Sequence, residues 1–279
     1  SHVVRHLLER GHQVINLDRR EAHKPQVKLH YIDLRRREIV QPIFETVDAV
    51  CHLAEIPNVG AGPFSPDEVF FTNTNIGAVV LQTAADLKIK RVIYTSTAQV
   101  YGAWGNNYIP ALCAPMDETH PLRAQNAYAL GKIANEGYAK MLAEQQGLSV
   151  AAFRFPGVWD WNAASEDFSW LERARGATEG FATYLHTADA ARAFVLALEN
   201  PRPGFEAYHF TAPEVFSGIP LAERMRLNHP DWPVLPDNWP NYKSPVLCDK
   251  ARAHFGWEAK HNMLDVYRKR FGREPHEQP

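Results

Sequence analysis

The sequence predicts an α/β fold, a doubly wound parallel sheet with a smaller carboxy-terminal lobe. Three observations predict it. Short apolar runs at residues 12–18, 27–31, 48–54, 92–94 and 149–155 alternate with longer segments of helical period. A hydroxyl triplet, Thr95, Ser96 and Thr97, stands where one of those strands should end, the place at which open α/β sheets bind ligands. From Pro201 on, proline and tryptophan dominate, which marks a change of architecture.

The totals suit this reading. The 279 residues fit one large domain or one domain with a small lobe, and 45% apolar residues supply a core. A net charge of −2 implies no general attraction to nucleic acid or to an anionic membrane. No apolar run reaches the roughly 20 residues that span a bilayer, and no signal peptide is visible. Cys51, Cys113 and Cys248 are scattered and form no Cys-x-x-Cys pair, so free thiols in a reducing cytoplasm are expected and a metal site is not.

The elements follow in order. Residues 1–11 form an amphipathic helix with Val3, Val4, Leu7 and Leu8 on one face and Gly11 closing it. A strand then ends at the acid Asp18. The next ends before Asp33-Leu34, and Arg35 to Arg37 begin an exposed helix. A fourth run, 48–54, carries His52 as a packed core histidine and ends in Leu53-Ala54. Residues 56–66 are a Gly/Pro-rich loop and 70–87 a long helix. Three prolines punctuate the loop 102–123, and Asn126 caps a helix running to about Gln146.

That helix carries Tyr128-Ala-Leu-Gly-Lys132. Residues four apart share one helix face. An ammonium beside a phenol favours the phenolate, so the tyrosine pKa is expected to fall toward neutrality and make a general base. Thr97 at the preceding strand end can hold a substrate oxygen next to it.

The ordered set Thr95-Ser-Thr-Ala-Gln-Val-Tyr-Gly102 and Tyr128-x-x-x-Lys132 resembles the extended short-chain dehydrogenase/reductase superfamily, in its NAD-dependent epimerase/dehydratase branch. The resemblance covers nearly the whole chain and implies a Rossmann-type fold. It makes Thr97 the catalytic hydroxyl, Tyr128 the acid/base, and Lys132 the residue that tunes Tyr128 and holds the nicotinamide ribose. It gives Asn73 a supporting catalytic place near the lysine, with Asn75 as rival. In the family a first strand and a glycine loop precede the first helix; here the sequence is expected to start just after that loop.

The same resemblance places the cofactor. Asp18 would accept bonds from the adenosine ribose, which favours NAD, while Arg19 and Arg20 leave NADP open. Asp33 and Leu34 would lie along the adenine. Leu53, Ala54 and Glu55 would border the cofactor backbone, Glu55 replacing an alanine of the family. Phe155 and Pro156 would cover the nicotinamide. Ala98, Gln99 and Gly157 would meet substrate, with Gly157 replacing an asparagine that nucleotide-sugar epimerases use. Asp189 reads as a structural cap and His186 as core-facing, although Arg173, Arg175 or His186 could meet a carboxylate. Dinucleotide-binding parts are expected at 1–157 and 181–200, and a substrate lobe at 158–180 and 201–279, closed by Phe255-Gly-Trp257.

The expected reaction is hydride transfer between a sugar, sugar-acid or polyol hydroxyl and nicotinamide. Dehydration is argued against, because Ala98-Gln99 supplies no acid pair. A nucleotide-sugar epimerase is the alternative, and a non-catalytic dinucleotide-binding sensor the second. A homodimer through the two long helices is expected, and no nucleic-acid or membrane partner.

Overall fold

The computed structural model describes residues 2–19, 27–57, 62–105, 108–161 and 180–277. The expectations for Arg20, Arg173 and Arg175 lie outside them. The first elements are α1 (His2–Glu9), β1 (Asn16–Asp18), β2 (Leu29–Tyr31), α2 (Arg37–Phe44), β3 (Val50–His52), α3 (Pro66–Asp86) and β4 (Val92–Thr97). A 3-10 turn at Ala98–Tyr101 leads on to α4 (Ala127–Gln146), β5 (Val150–Phe155), β6 (Gly157–Trp159) and β7 (Tyr184–His186). The remainder is α5 (Thr187–Glu199), β8 (Phe205–His209), α6 (Leu221–Asn228), α7 (Asp249–Phe255) and α8 (Met263–Phe271).

All paired strands run parallel. The largest sheet has the order β3-β4-β5-β8, and β1-β2 and β6-β7 form two smaller ones. The pleat sends alternate residues to opposite faces, and each face is covered. Val92, Tyr94, Val150 and Ala152 pack under α2, α3 and α4 through Val40, Val80, Leu81 and Leu142. Ile93, Phe153 and Tyr208 pack under α1, α5 and α7 through Leu7, Phe194 and Phe255. This is the doubly wound arrangement. A second core, with Met116, Phe181, Phe216, Trp232 and Tyr267, holds the carboxy-terminal lobe together.

Several boundaries move. β4 continues through Thr95, Ser96 and Thr97, because neighbouring β5 stays in register as far as Thr97↔Phe155. α3 begins at Pro66, four residues earlier than expected. Ser65 and Glu68 form a reciprocal capping box there, a signal hidden behind Pro66. Residues 205–209, assigned to the substrate lobe, form β8 and pair with β5 in the main sheet. Trp257 likewise packs against Phe210 beside α5, in the core under the main sheet.

Asp189 is no cap. The cap of α5 is His186, whose Nδ1 accepts from the Ala188 amide at 3.1 Å. The buried Asp189 carboxylate instead receives the amides of Lys260 and His261 at 2.9 and 2.8 Å. A carboxylate accepts several donors at once, and two adjacent loop amides satisfy it better than one helix end.

Candidate active site

The carboxyl ends of β3 and β4 and the first turns of α4 converge. Asn126 starts α4 by accepting from the Ala129 amide at 2.8 Å, and its own amide donates to Gln99 Oε1 at 2.9 Å. The side chain of Gln99, expected at the substrate, is therefore bound to the helix cap. Ala98 is buried in the 3-10 turn. Thr97 is 7% exposed, accepts from the Gln99 amide at 3.3 Å, and acts to lower the Tyr128 phenol pKa.

Lys132 is buried one turn below Tyr128, with its ammonium 5.4 Å from the Tyr128 ring centre and 5.1 Å from that of Tyr94. It donates to the Thr95 carbonyl and makes an ion pair with Glu55. Burial pulls the lysine pKa down, but Glu55 and Tyr128 outweigh it and hold the group up as an ammonium. The expectation for Tyr128 needs correction. Burial raises the phenol above the ordinary tyrosine value, the nearby Lys132 offsets only part of this, and Glu55 adds to the rise.

Asn73 is 1% exposed and spends its side chain on one loop residue. Its Oδ1 accepts from the Ile56 amide and its Nδ2 donates to the Ile56 carbonyl, both at 2.9 Å. It fixes the chain immediately after Glu55. Asn135, one turn past Lys132, donates to the Asn73 carbonyl at 3.0 Å and to the Tyr94 hydroxyl at 3.2 Å. Gly77 makes this possible, since a Cβ there would lie 2.1 Å from Asn135 Nδ2.

Beyond β3 a pocket collects Asp18, Arg19, Asp33, Leu34, Leu53, Ala54 and Glu55, with Ile76 of α3. The structure thus brings together the expected cofactor residues of the first half. Aliphatic walls with an acid at the end of β1 suit an adenosine. Hydrogen bonds from the Arg35 guanidinium hold the Asp33 carboxyl down, at about 2, so its charge is engaged within its own turn. Arg36 and Arg37 pair with Glu38 and Asp86 rather than forming a patch. A larger depression, between Phe44, Asp48, Lys88 and Arg91, lies at the amino ends of β3 and β4, away from every group named above.

Phe155 closes β5 and is buried, Pro156 follows half-exposed, and Gly157 opens β6. A Cβ on Gly157 would lie 2.8 Å from Trp159 Nε1, so the indole occupies the space of a side chain. His186 is core-facing as expected: its Nε2 donates to the Trp161 carbonyl at 3.1 Å, and its ring stacks on His261 at 4.1 Å. Both ring nitrogens are engaged, and Nε2 lies 3.8 Å from the Asp160 carboxylate of the chain itself.

One buried network went unread in the sequence. Ser96 Oγ donates to Glu136 Oε1 at 2.5 Å. Arg154 grips Glu136 with bonds of 2.6 and 3.1 Å and donates to the Tyr101 hydroxyl at 2.6 Å. Tyr101 in turn meets His209 Nε2 at 2.5 Å. Glu136 stands four residues after Lys132, on the same helix face, and that spacing was the available signal.

Fold and site together define a nucleotide-dependent enzyme of the tyrosine–lysine type. The chain belongs to the NAD dependent epimerase/dehydratase family, whose model matches residues 1–159. A UDP-glucose 4-epimerase of Halalkalibacterium halodurans is 27% identical to it, covering 95% of this chain and 89% of that protein. The solved UDP-glucose 4-epimerase of Thermotoga maritima with UDP-glucose superposes with a TM-score of 0.68 at 22% identity, over 96% of this chain and 95% of that one. MoeE5 in complex with UDP-glucuronic acid and NAD gives 0.69 at 18% identity, over 97% and 95%. Among the described residues no helix is long and apolar enough to cross a membrane, and no cluster of three or more metal-type side chains occurs. The three cysteines are unpaired.

Proposed function

We propose that this chain is an NAD-dependent epimerase of a nucleotide sugar, inverting one carbinol carbon through a transient ketone. The observation that carries the chemistry is the meeting of Thr97, Tyr128 and Lys132 at the ends of β4 and α4. The curated relatives tilt the reading from net oxidation toward epimerisation.

Each residue then has a role. Tyr128 exchanges a proton with the carbinol oxygen, and Thr97 holds that oxygen in place. Lys132 steadies the phenolate as it forms. Asp18 accepts from the adenosine ribose, and the Leu34, Leu53 and Ala54 wall receives the adenine side. Phe155 and Pro156 cover the nicotinamide. NAD supplies a reversible hydride acceptor when bound. Asn73 positions the loop at Glu55 rather than touching substrate. Ala98 and Gln99 offer no acid pair, so water is not eliminated.

A net dehydrogenase of a free sugar or sugar acid is the second reading. Trp159 favours it, because its indole fills the space that a contacting side chain at 157 would need. We further propose a homodimer through α3 and α4, which pack side by side and leave Phe71 67% and Leu130 50% exposed.

The test supplies the protein with NAD and a panel of UDP-sugars, free sugars and uronic acids. A changed UDP-sugar by chromatography, without accumulating NADH, supports epimerisation. NADH formed in step with a free sugar or acid overturns it in favour of the second reading. Tyr128→Phe should lower turnover by roughly 10²–10⁴-fold, the usual share of a positioned acid/base.

A further inference from the structure

Glu55 stands at the end of β3, with its side chain 4% exposed. Its carboxylate makes an ion pair with Lys132 Nζ, yet neither oxygen has a hydrogen bond of good geometry. A second contact, to His52 Nε2 at 3.9 Å, is too long for one. Nothing in the packing requires an acid here. Such a group is costly to bury unless paired.

Its neighbours all belong to the reacting corner. Lys132 and Tyr128 face it from α4, Tyr94 from β4 and His52 from β3, while Glu136, one turn further along α4, acts on Lys132 and Tyr94. Lys132 thus lies between two claimants, the Glu55 carboxylate and the Tyr128 phenol. The Glu55 carboxyl is by nature the stronger acid of the two; burial raises its pKa, and the attraction and close contact of Lys132 work against that rise.

We propose that Glu55 is a positioning residue that shares the Lys132 ammonium with Tyr128, so that Tyr128 rests as a phenol and becomes a phenolate only when a proton is being moved. This rests on the acid/base role given to Tyr128 above. A lone ammonium beside the ring would stabilise the phenolate permanently. With Glu55 present, part of that attraction is already engaged by the ion pair. The phenol is then ready to donate to a ketone oxygen as well as to take a proton back, which a reaction run in both directions needs. Burial of Tyr128 and the charge of Glu55 act in the same direction on its proton.

The experiment follows tyrosine ionisation by near-ultraviolet phenolate absorbance in the purified protein, so it needs no substrate. Wild type, Glu55→Gln, Glu55→Ala and Glu55→Asp are titrated, each also with Tyr128→Phe. The part of the signal lost with Tyr128→Phe belongs to Tyr128. In Glu55→Gln and Glu55→Ala that step should move down by about one pH unit or more, the usual effect of one neighbouring charge. Glu55→Asp, which keeps the charge, should return it toward wild type. A Tyr128 step at the wild-type pH or higher in Glu55→Gln overturns the proposal. So does a Glu55→Gln titration unchanged by Tyr128→Phe. Turnover of Tyr128→Phe decides the catalytic reading separately, so the two can fail independently.

Discussion

Two buried ion pairs hang from one helix, and they are built differently. Glu136 and Arg154 form a two-pronged pair whose atoms are further bonded to Ser96, Tyr101 and the Glu118 carbonyl. Glu55 and Lys132 meet as a single contact, with the carboxylate oxygens otherwise unbonded. Each pair has a histidine beside it. His209 is bonded at both ring nitrogens, to Tyr101 and to Leu247, while His52 Nε2 has no hydrogen-bond partner. A satisfied network rigidifies a core, and a partly satisfied one is costly. The first pair is scaffold joining α4 to β5. The second adjoins Tyr94 and Tyr128, in the corner proposed above for the reaction, and its loose ends suit groups that change partners.

The comparison can be broken most sharply at the first pair. Arg154→Met should cost about 3–5 kcal/mol in urea unfolding, because it strands the Glu136 carboxylate in the core. Glu55→Gln should cost less than half as much, since Lys132 retains Thr95 and Tyr128. Equal losses would show that the two pairs are alike. Gly77→Ala comes next. Alanine is the better helix former by about 1 kcal/mol, but its Cβ would drive Asn135 away from Asn73 and Tyr94. A net loss of about 1–3 kcal/mol is expected from overpacking, and a gain in Tm would refute the tight fit.

The remaining test is acid sensitivity, whose effect near neutral pH is the smallest of the three and grows as the solution is acidified. Burial, then Arg154, holds His209 down at about 3, and burial, then Lys132, does the same for His52. A base whose pKa is lowered by folding stabilises the fold above its ordinary value of about 6.5, and that contribution is lost as pH falls toward 3. Unfolding free energy should therefore decline below about pH 6.5, with a limiting slope near 1.4 kcal/mol per pH unit for each histidine. His209→Asn or His52→Asn should flatten the curve, and an unchanged slope in both would remove the histidines from the account.

Much of the fold was legible because alternation and helix period are local. The strands at 50–52, 92–94 and 150–155 and the helix capped by Asn126 come from neighbouring residues alone. The start of α3 was missed because Pro66 reads as loop, while a proline in the first helical turn is permitted. The place of β8 could not be read, since pairing with β5 joins segments 55 residues apart. In the site, residue identity foretold that Thr97, Tyr128 and Lys132 would gather at one strand end and that Asp18, Asp33, Leu34, Leu53 and Ala54 would come together in one pocket. It did not foretell the net effect on Tyr128. The i,i+4 spacing shows the lysine but shows neither burial nor Glu55, and those two reverse the sign. Gln99 and Asp189 were misread for the same reason: a polar side chain near a ligand or a helix end takes whichever partner the tertiary structure offers.

The clasp of Asp189 on residues 260 and 261 also bears on how the chain acquires its shape. Trp257 Nε1 donates to the Asp189 carbonyl at 3.1 Å, so the same short segment is held twice. α5 and this segment are separated by some 70 positions along the chain. One face of the main sheet is thus completed only once residues near 260 have left the ribosome. Contacts of such sequence separation slow folding. Until then Phe210 lacks the cover that the Trp257 indole gives it at 4.9 Å, and the Asp189 carboxylate lacks the two amides that satisfy it.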